Sequence, residues 1–243
     1  MLAAAATDRW QTFRAGSASH WAVIVAVAIV AATMAAIRRR QRGRPAGAGT
    51  TLDRAFAIVA AAAWLLINAR QLFGAGFNPG TALPLHVSDL TELAIPLALW
   101  FSWRWARAIV YYWGLGLGSL AFIIPDLHDG PARIGFWLFW SGHAIIMTAV
   151  AYDLFGRGYR PAWRDWAIAA ACSITYAALI TPFNAVSGNS YGYLGPDQPG
   201  QPALLGVFGT WPMRVVPIVL VGIAGMAALT LPWVASARRL RRP

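Results

Sequence analysis

The sequence predicts an all-α, polytopic membrane protein with seven transmembrane helices, and three observations predict it. Of 243 residues, 58% are hydrophobic and only 12% are charged, which is not the composition of an ordinary soluble domain. The apolar residues fall in seven runs, at 20–37, 55–72, 83–102, 106–124, 134–154, 166–185 and 213–234, each close to the ~20 residues that a helix needs to cross ~30 Å of hydrocarbon. The runs are continuous and not alternating, so they read as helices and not as strands of a barrel. Together they make one transmembrane domain over residues 1–243, with no repeat and no low-complexity block.

The first span lacks a basic segment before it and is followed by Arg38, Arg39, Arg40, Arg42 and Arg44. That order predicts a retained span and not a cleaved signal peptide. The second is interrupted near its far end by Asn68 and Arg70. The third carries His86, Ser88, Asp89 and Glu92 at one end. In the fourth, Gly114 and Gly118 form a small-xxx-small pair, which permits close helix approach in lipid. No strand precedes this glycine run, so it is not a phosphate loop. The fifth span holds His143. The sixth holds Thr181, Asn184 and Cys172, whose solitude excludes a disulfide or a cysteine-rich metal site within one chain. Trp211 precedes the seventh, at the expected membrane boundary.

All twenty basic residues are arginine. Assigning alternate loops to one side places fifteen there: Arg38, Arg39, Arg40, Arg42, Arg44, Arg54, Arg104, Arg107, Arg157, Arg160, Arg164, Arg238, Arg239, Arg241 and Arg242. The other side receives Arg9, Arg14, Arg70, Arg133 and Arg214. This is the positive-inside pattern, with the N-terminus outside and the C-terminus cytoplasmic. It accounts for the basic charge without nucleic acid, and it makes membrane lipids, with anionic headgroups at the arginine-rich face, the expected partners. The longest outer loop, about 186–212, is rich in tyrosine and glycine. It reads either as a cap over the outer mouth of the bundle or as a plain linker.

Ionisable side chains within a membrane helix are costly and usually mark a functional site. With the third span entering from outside, His86 lies at the boundary and Asp89 and Glu92 one and two turns deeper. His143 comes to a similar depth from the fifth span, while Asp126 and Asn184 close the outer ends of the fourth and sixth. On an ideal helix of ~100° per residue, Ser88 and Glu92 share a face and His86 points nearly opposite Ser88. His143 is then the histidine free to act as a base for Ser88, with Asp89 or Glu92 orienting the imidazole. His86, Glu92, Asp126 and Asn184 are expected to contact substrate. A metal site built on His86, His143, Asp89 and Glu92 lacks a close pair of histidines, so no metal and no cofactor is expected. The remaining alternative is a hydrogen-bonded network that pins the helices together.

Several ordered motifs resemble the YwaF-like bacterial integral membrane proteins. They are Pro84-Leu85-His86-Val87-Ser88-Asp89-Leu90, Tyr112-Trp113-Gly114 with Pro125-Asp126-Leu127, Ser141-Gly142-His143, Gly158-Tyr159-Arg160-Pro161, Asn184 with Asn189-Ser190-Tyr191, and Trp211-Pro212. The resemblance covers roughly 55–235 and leaves the first span largely outside. It implies a heptahelical protein of a bacterial plasma membrane. The wider relatives include a eukaryotic transmembrane acyltransferase that remodels ether phospholipids through a cysteine nucleophile, and androgen-induced membrane hydrolases that use threonine and histidine. The resemblance therefore implies lipid acyl transfer or lipid-ester hydrolysis, with Ser88 at the family cysteine position and His143 at the family histidine. Serine depends more than cysteine on an adjacent base. A non-enzymatic ligand- or ion-binding protein, or a carrier, using the same polar pocket is the alternative. The absence of a repeat counts against the carrier.

Overall fold

A few capping and helix-breaking residues decide where the helices of this chain start and stop. The computed structural model describes residues 10–42, 48–74, 77–78, 80, 82–199, 201 and 203–239. Arg9, Arg44, Arg241 and Arg242 lie outside the described residues. Among those described there are seven α-helices and no strand: α1 (Ala18–Arg40), α2 (Ala48–Phe73), α3 (Val87–Trp100), α4 (Arg104–Ile109), α5 (Ile134–Ala151), α6 (Trp163–Ser187) and α7 (Val215–Arg239). Five are long and apolar enough to cross a membrane: α1, α2, α5 with its extension to Arg157, α6 and α7.

The third and fourth expected spans are corrected. α3 has 14 residues, about 21 Å at 1.5 Å per residue, and occupies only part of 83–102. Proline disfavours helical backbone at the residue before it, so Pro84 keeps Leu83 out of a helix. His86 is the N-cap, with extended φ −70° and ψ 153°. At the other end Ser102 has φ 57°, a left-handed conformation that stops the chain from continuing as helix. The run expected at 106–124 starts earlier, at Arg104, and changes winding twice. Six α-helical residues pass into a π-helix, Val110–Leu115, and then into a 3-10 helix, Gly118–Phe122.

The glycines explain why this irregular segment is tolerated. A Cβ on Gly114 would lie 2.9 Å from Cγ2 of both Ile146 and Val150, and one on Gly118 would lie 3.3 Å from Ile146. The two glycines thus bring the segment close to α5, as their spacing predicts. The main core forms around this contact, with Ile95, Ala106, Tyr112, Ile146, Tyr152 and Ala169 all buried.

The helix ends gather into two layers. In the arginine-rich layer Arg38 of α1 pairs with Asp53 of α2 at 2.8 Å. Tyr152, which opens the π-helical turn Tyr152–Arg157 after α5, donates to the same carboxylate at 2.6 Å. Arg107 of α4 grips Asp153 with two bonds, at 2.8 and 3.0 Å. Arg157 reaches Asp153 at 3.2 Å and Asp53 at 3.4 Å, and its guanidinium also donates to the Ala98 carbonyl of α3 at 2.8 Å. Arg104 pairs with Asp165 of α6 at 2.7 Å. Arg160 lies over the Trp233 ring of α7 at 5.1 Å. In the opposite layer His20, at the start of α1, meets the carbonyl of Phe122 at 3.1 Å.

Removing one partner of a buried ion pair leaves an uncompensated charge and typically costs ~3–5 kcal/mol. Asp153 and Arg157 side chains are 5% and 8% exposed. Asp153→Asn is expected to destabilise the purified protein by roughly that amount, read as a lower unfolding temperature in detergent. The change Arg133→Gln, at an ion pair whose side chains are 58% and 42% exposed, should leave the unfolding temperature nearly unchanged.

Candidate functional site

The polar end of α3 is built by its own cap. Asp89 occupies the first turn, where a carboxylate is favoured by the helix dipole. Its Oδ2 accepts from the backbone N–H of His86 at 2.9 Å. The Asp89 carbonyl accepts from Trp64 Nε1 of α2 at 2.9 Å, which docks α2 alongside. One turn nearer the C-terminal end of α2, Asn68 is buried and donates to the Trp64 carbonyl at 2.8 Å, while its Oδ1 has no partner among the described residues.

Glu92 is buried, 6% exposed. It faces α5 at Gly142, where a Cβ would come within 2.5 Å of its Oε1. The missing side chain at 142 is therefore the space that the carboxylate occupies. No hydrogen bond or ion pair to Glu92 is present among the described residues.

His143 follows Gly142. Its Nδ1 donates to the Phe139 carbonyl at 2.8 Å, and its ring lies against the Phe139 ring with centroids 4.4 Å apart. In the neutral ring this bond fixes the tautomer and leaves Nε2 with the lone pair. Ser88 is half-buried, and its hydroxyl makes no hydrogen bond among the described residues. The structure brings Glu92 to the helix that carries His143, and it does not join Ser88 to His143 by a hydrogen bond. Among the described residues no group of three or more His, Cys, Asp or Glu side chains is arranged to hold a metal ion.

Because α3 begins at Val87, the helical angle assigned to His86 does not apply; this residue sits on extended backbone. Its ring lies 4.8 Å from that of Tyr191. Tyr191 is fully buried, and Asn184 at the end of α6 holds it from both sides. Asn184 Nδ2 donates to the Tyr191 carbonyl at 2.9 Å, and the Tyr191 N–H donates to Asn184 Oδ1 at 3.0 Å. The Leu83 N–H donates to the Tyr191 hydroxyl at 3.2 Å. Tyr193 donates to Asp126 Oδ2 at 3.0 Å. Burial, and then the Asp126 charge, raise the Tyr193 hydroxyl above its ordinary value, which keeps it a donor. The segment after α6 is thus a cap clasped over the start of α3. The amide of Asn184 is used in that clasp, and Asp126 at the surface anchors the same segment.

Two features of this cap were not legible from residue types. Arg214 is 2% exposed and donates to the Gly195 carbonyl at 2.8 Å and to Asp197, so an arginine counted only for topology holds down the far end of the loop. Tyr176 of α6 donates to the Leu85 carbonyl at 2.8 Å and pins the approach to His86. An aromatic residue in an apolar helix gives no sign of such a bond.

The family model that matches the chain is that of the TMEM164 family, over residues 15–230. The match takes in α1, which the resemblance read from motifs leaves largely outside. No curated protein and no solved structure matches. The clasp has a direct check. Asn184→Ala would strand two buried backbone groups at ~1–3 kcal/mol each, and is expected to make the 188–199 segment sensitive to added protease while the helices stay protected.

Proposed function

This chain belongs to the TMEM164 family, and from that premise we propose that it is an intramembrane lipid acyltransferase or lipid-ester hydrolase whose site lies between α3 and α5. The observation that supports the reading best is the state of His143. With Nδ1 engaged by a carbonyl at 2.8 Å, the ring is oriented and Nε2 is left to accept a proton. Nε2 removes the proton of the Ser88 hydroxyl as Oγ attacks the ester carbonyl carbon of a lipid. The ester bond breaks, the imidazolium returns the proton to the leaving alcohol, and the acyl group stays on Ser88. Water or the hydroxyl of a second lipid then attacks by the same route in reverse.

Ser88 and His143 are not hydrogen-bonded, so the route requires them to meet when substrate binds; catalytic hydrogen bonds often tighten only in the complex. Glu92 is the acid available to stabilise the imidazolium, since Asp89 already accepts from the His86 N–H. In this reading His86 and Asp126 contact the lipid headgroup. A second reading, a ligand- or ion-binding protein or carrier, is favoured by the unpartnered Glu92. The protein is placed by this proposal in a bacterial plasma membrane with seven crossings, N-terminus outside and C-terminus cytoplasmic. α3 and the return segment from Arg104 to Phe122 run in opposite directions, so the proposed orientation is the same whether or not they span the bilayer.

Two measurements test these statements. In proteoliposomes, Ser88→Ala and His143→Ala are each expected to lower lipid acyl turnover by ~10²-fold or more. Unchanged turnover in both, with ligand or ion binding lost in Glu92→Gln, would establish the second reading instead. In a Cys172→Ser background, Thr50→Cys should react with an impermeant maleimide only in inverted vesicles and Ser190→Cys only in intact cells. Reaction of both from one side would sink the topology.

A further inference from the structure

At the arginine-rich layer the start of α4 and the start of α6 leave a groove of about 420 Å³ lined by Trp103, Arg104, Trp105, Arg164 and Ile168. It lies at the opposite end of the bundle from Ser88 and His143 and is independent of that site. Its charge is not balanced. Asp165, the acid beside it, is fully buried. Oδ2 of Asp165 accepts from Arg104 at 2.7 Å and from the N–H of Ala162 at 2.9 Å, and its Oδ1 is buried without a partner among the described residues. Arg164 is exposed and makes no hydrogen bond or ion pair among the described residues. Arg104 is 48% exposed even while it holds Asp165, and it also lines the groove.

The other walls are apolar; Ile168 is half-buried, and Trp103 stacks on Phe101 with ring centroids 4.7 Å apart. Trp103 and Trp105 are 45% and 43% exposed, with ring centroids 6.0 Å apart, and neither indole N–H has a partner among the described residues. Indoles with an apolar body and a free N–H belong at the headgroup level of a bilayer. An occupant must therefore offer an anion to Arg164 and Arg104, an acceptor to the indoles, and hydrocarbon to the ring faces and Ile168. Soluble anions lack the third property, and apolar partners lack the first.

We propose that this groove is a binding site for one anionic glycerophospholipid, its phosphate between Arg104 and Arg164 and its acyl chains along Trp103, Trp105 and Ile168. The lipid would link the start of α4 to the start of α6, beside the direct Arg104–Asp165 bridge.

The test is native mass spectrometry of the full chain released from mixed vesicles of dioleoyl phosphatidylglycerol and dioleoyl phosphatidylcholine. One tightly retained phosphatidylglycerol per chain is expected. Arg164→Gln, which breaks no hydrogen bond or ion pair among the described residues, should weaken its retention about fivefold, as one basic residue at an anionic surface does. Trp105→Leu should weaken it further without removing charge. Arg133→Gln, which removes the same charge from the other layer, should leave it unchanged. Equal loss in Arg133→Gln, retention of phosphatidylcholine as strong as that of phosphatidylglycerol, or full displacement by millimolar inorganic phosphate would each overturn the proposal.

Discussion

The rest of the structure depends on the burial of two aspartates among arginines at one end of the bundle. Asp53 accepts from Arg38 and Tyr152, Asp153 from Arg107 and Arg157, and Arg157 bridges the two carboxylates. Lipid supplies no hydrophobic force between helices, so packing and polar contacts must set their relative depth. These pairs do so for five helices, since Arg157 also holds the carbonyl of Ala98 near the end of α3. The π-helical turn at Tyr152–Arg157 belongs to the same arrangement. It carries Tyr152, Asp153 and Arg157, and such turns recur where a helix must re-aim its side chains.

The depth fixed at that end decides what meets at the other. α3 is short, and its cap and its bond to Arg157 leave little freedom to slide. Glu92 therefore stays level with Gly142, and His143 follows on the same helix. The loop clasped by Asn184 and Arg214 packs over the start of α3.

Much of the architecture was legible in the sequence because hydropathy and arginine distribution report on the membrane directly. Five spans were recoverable in that way, and the spacing of Gly114 and Gly118 signalled a close helix approach without naming α5 as the partner. The true start of α3 was less so, although Pro84 and the short spacing from His86 to Asp89 signalled it. The ion-pair layer escaped because its partners are 15, 46 and 61 residues apart, and the arginines had a sufficient explanation in topology alone. At the candidate site, residue types located Ser88, Asp89, Glu92 and His143 on α3 and α5, but hydrogen-bond partners are a property of rotation and rotamer. Hence the roles of Asn184 and Asp126 in holding the loop, and the freedom of Glu92, were visible only in three dimensions.

Gly142 has a consequence for how this region varies through descent. The space above its Cα is filled by the Glu92 carboxylate, so the two positions are not independent characters. Any side chain at 142 displaces the acid, whereas a shorter residue at 92 opens the space that a Cβ at 142 would need. Sequences that share this packing should then lose the pair in a fixed order, the acid first and the glycine afterwards.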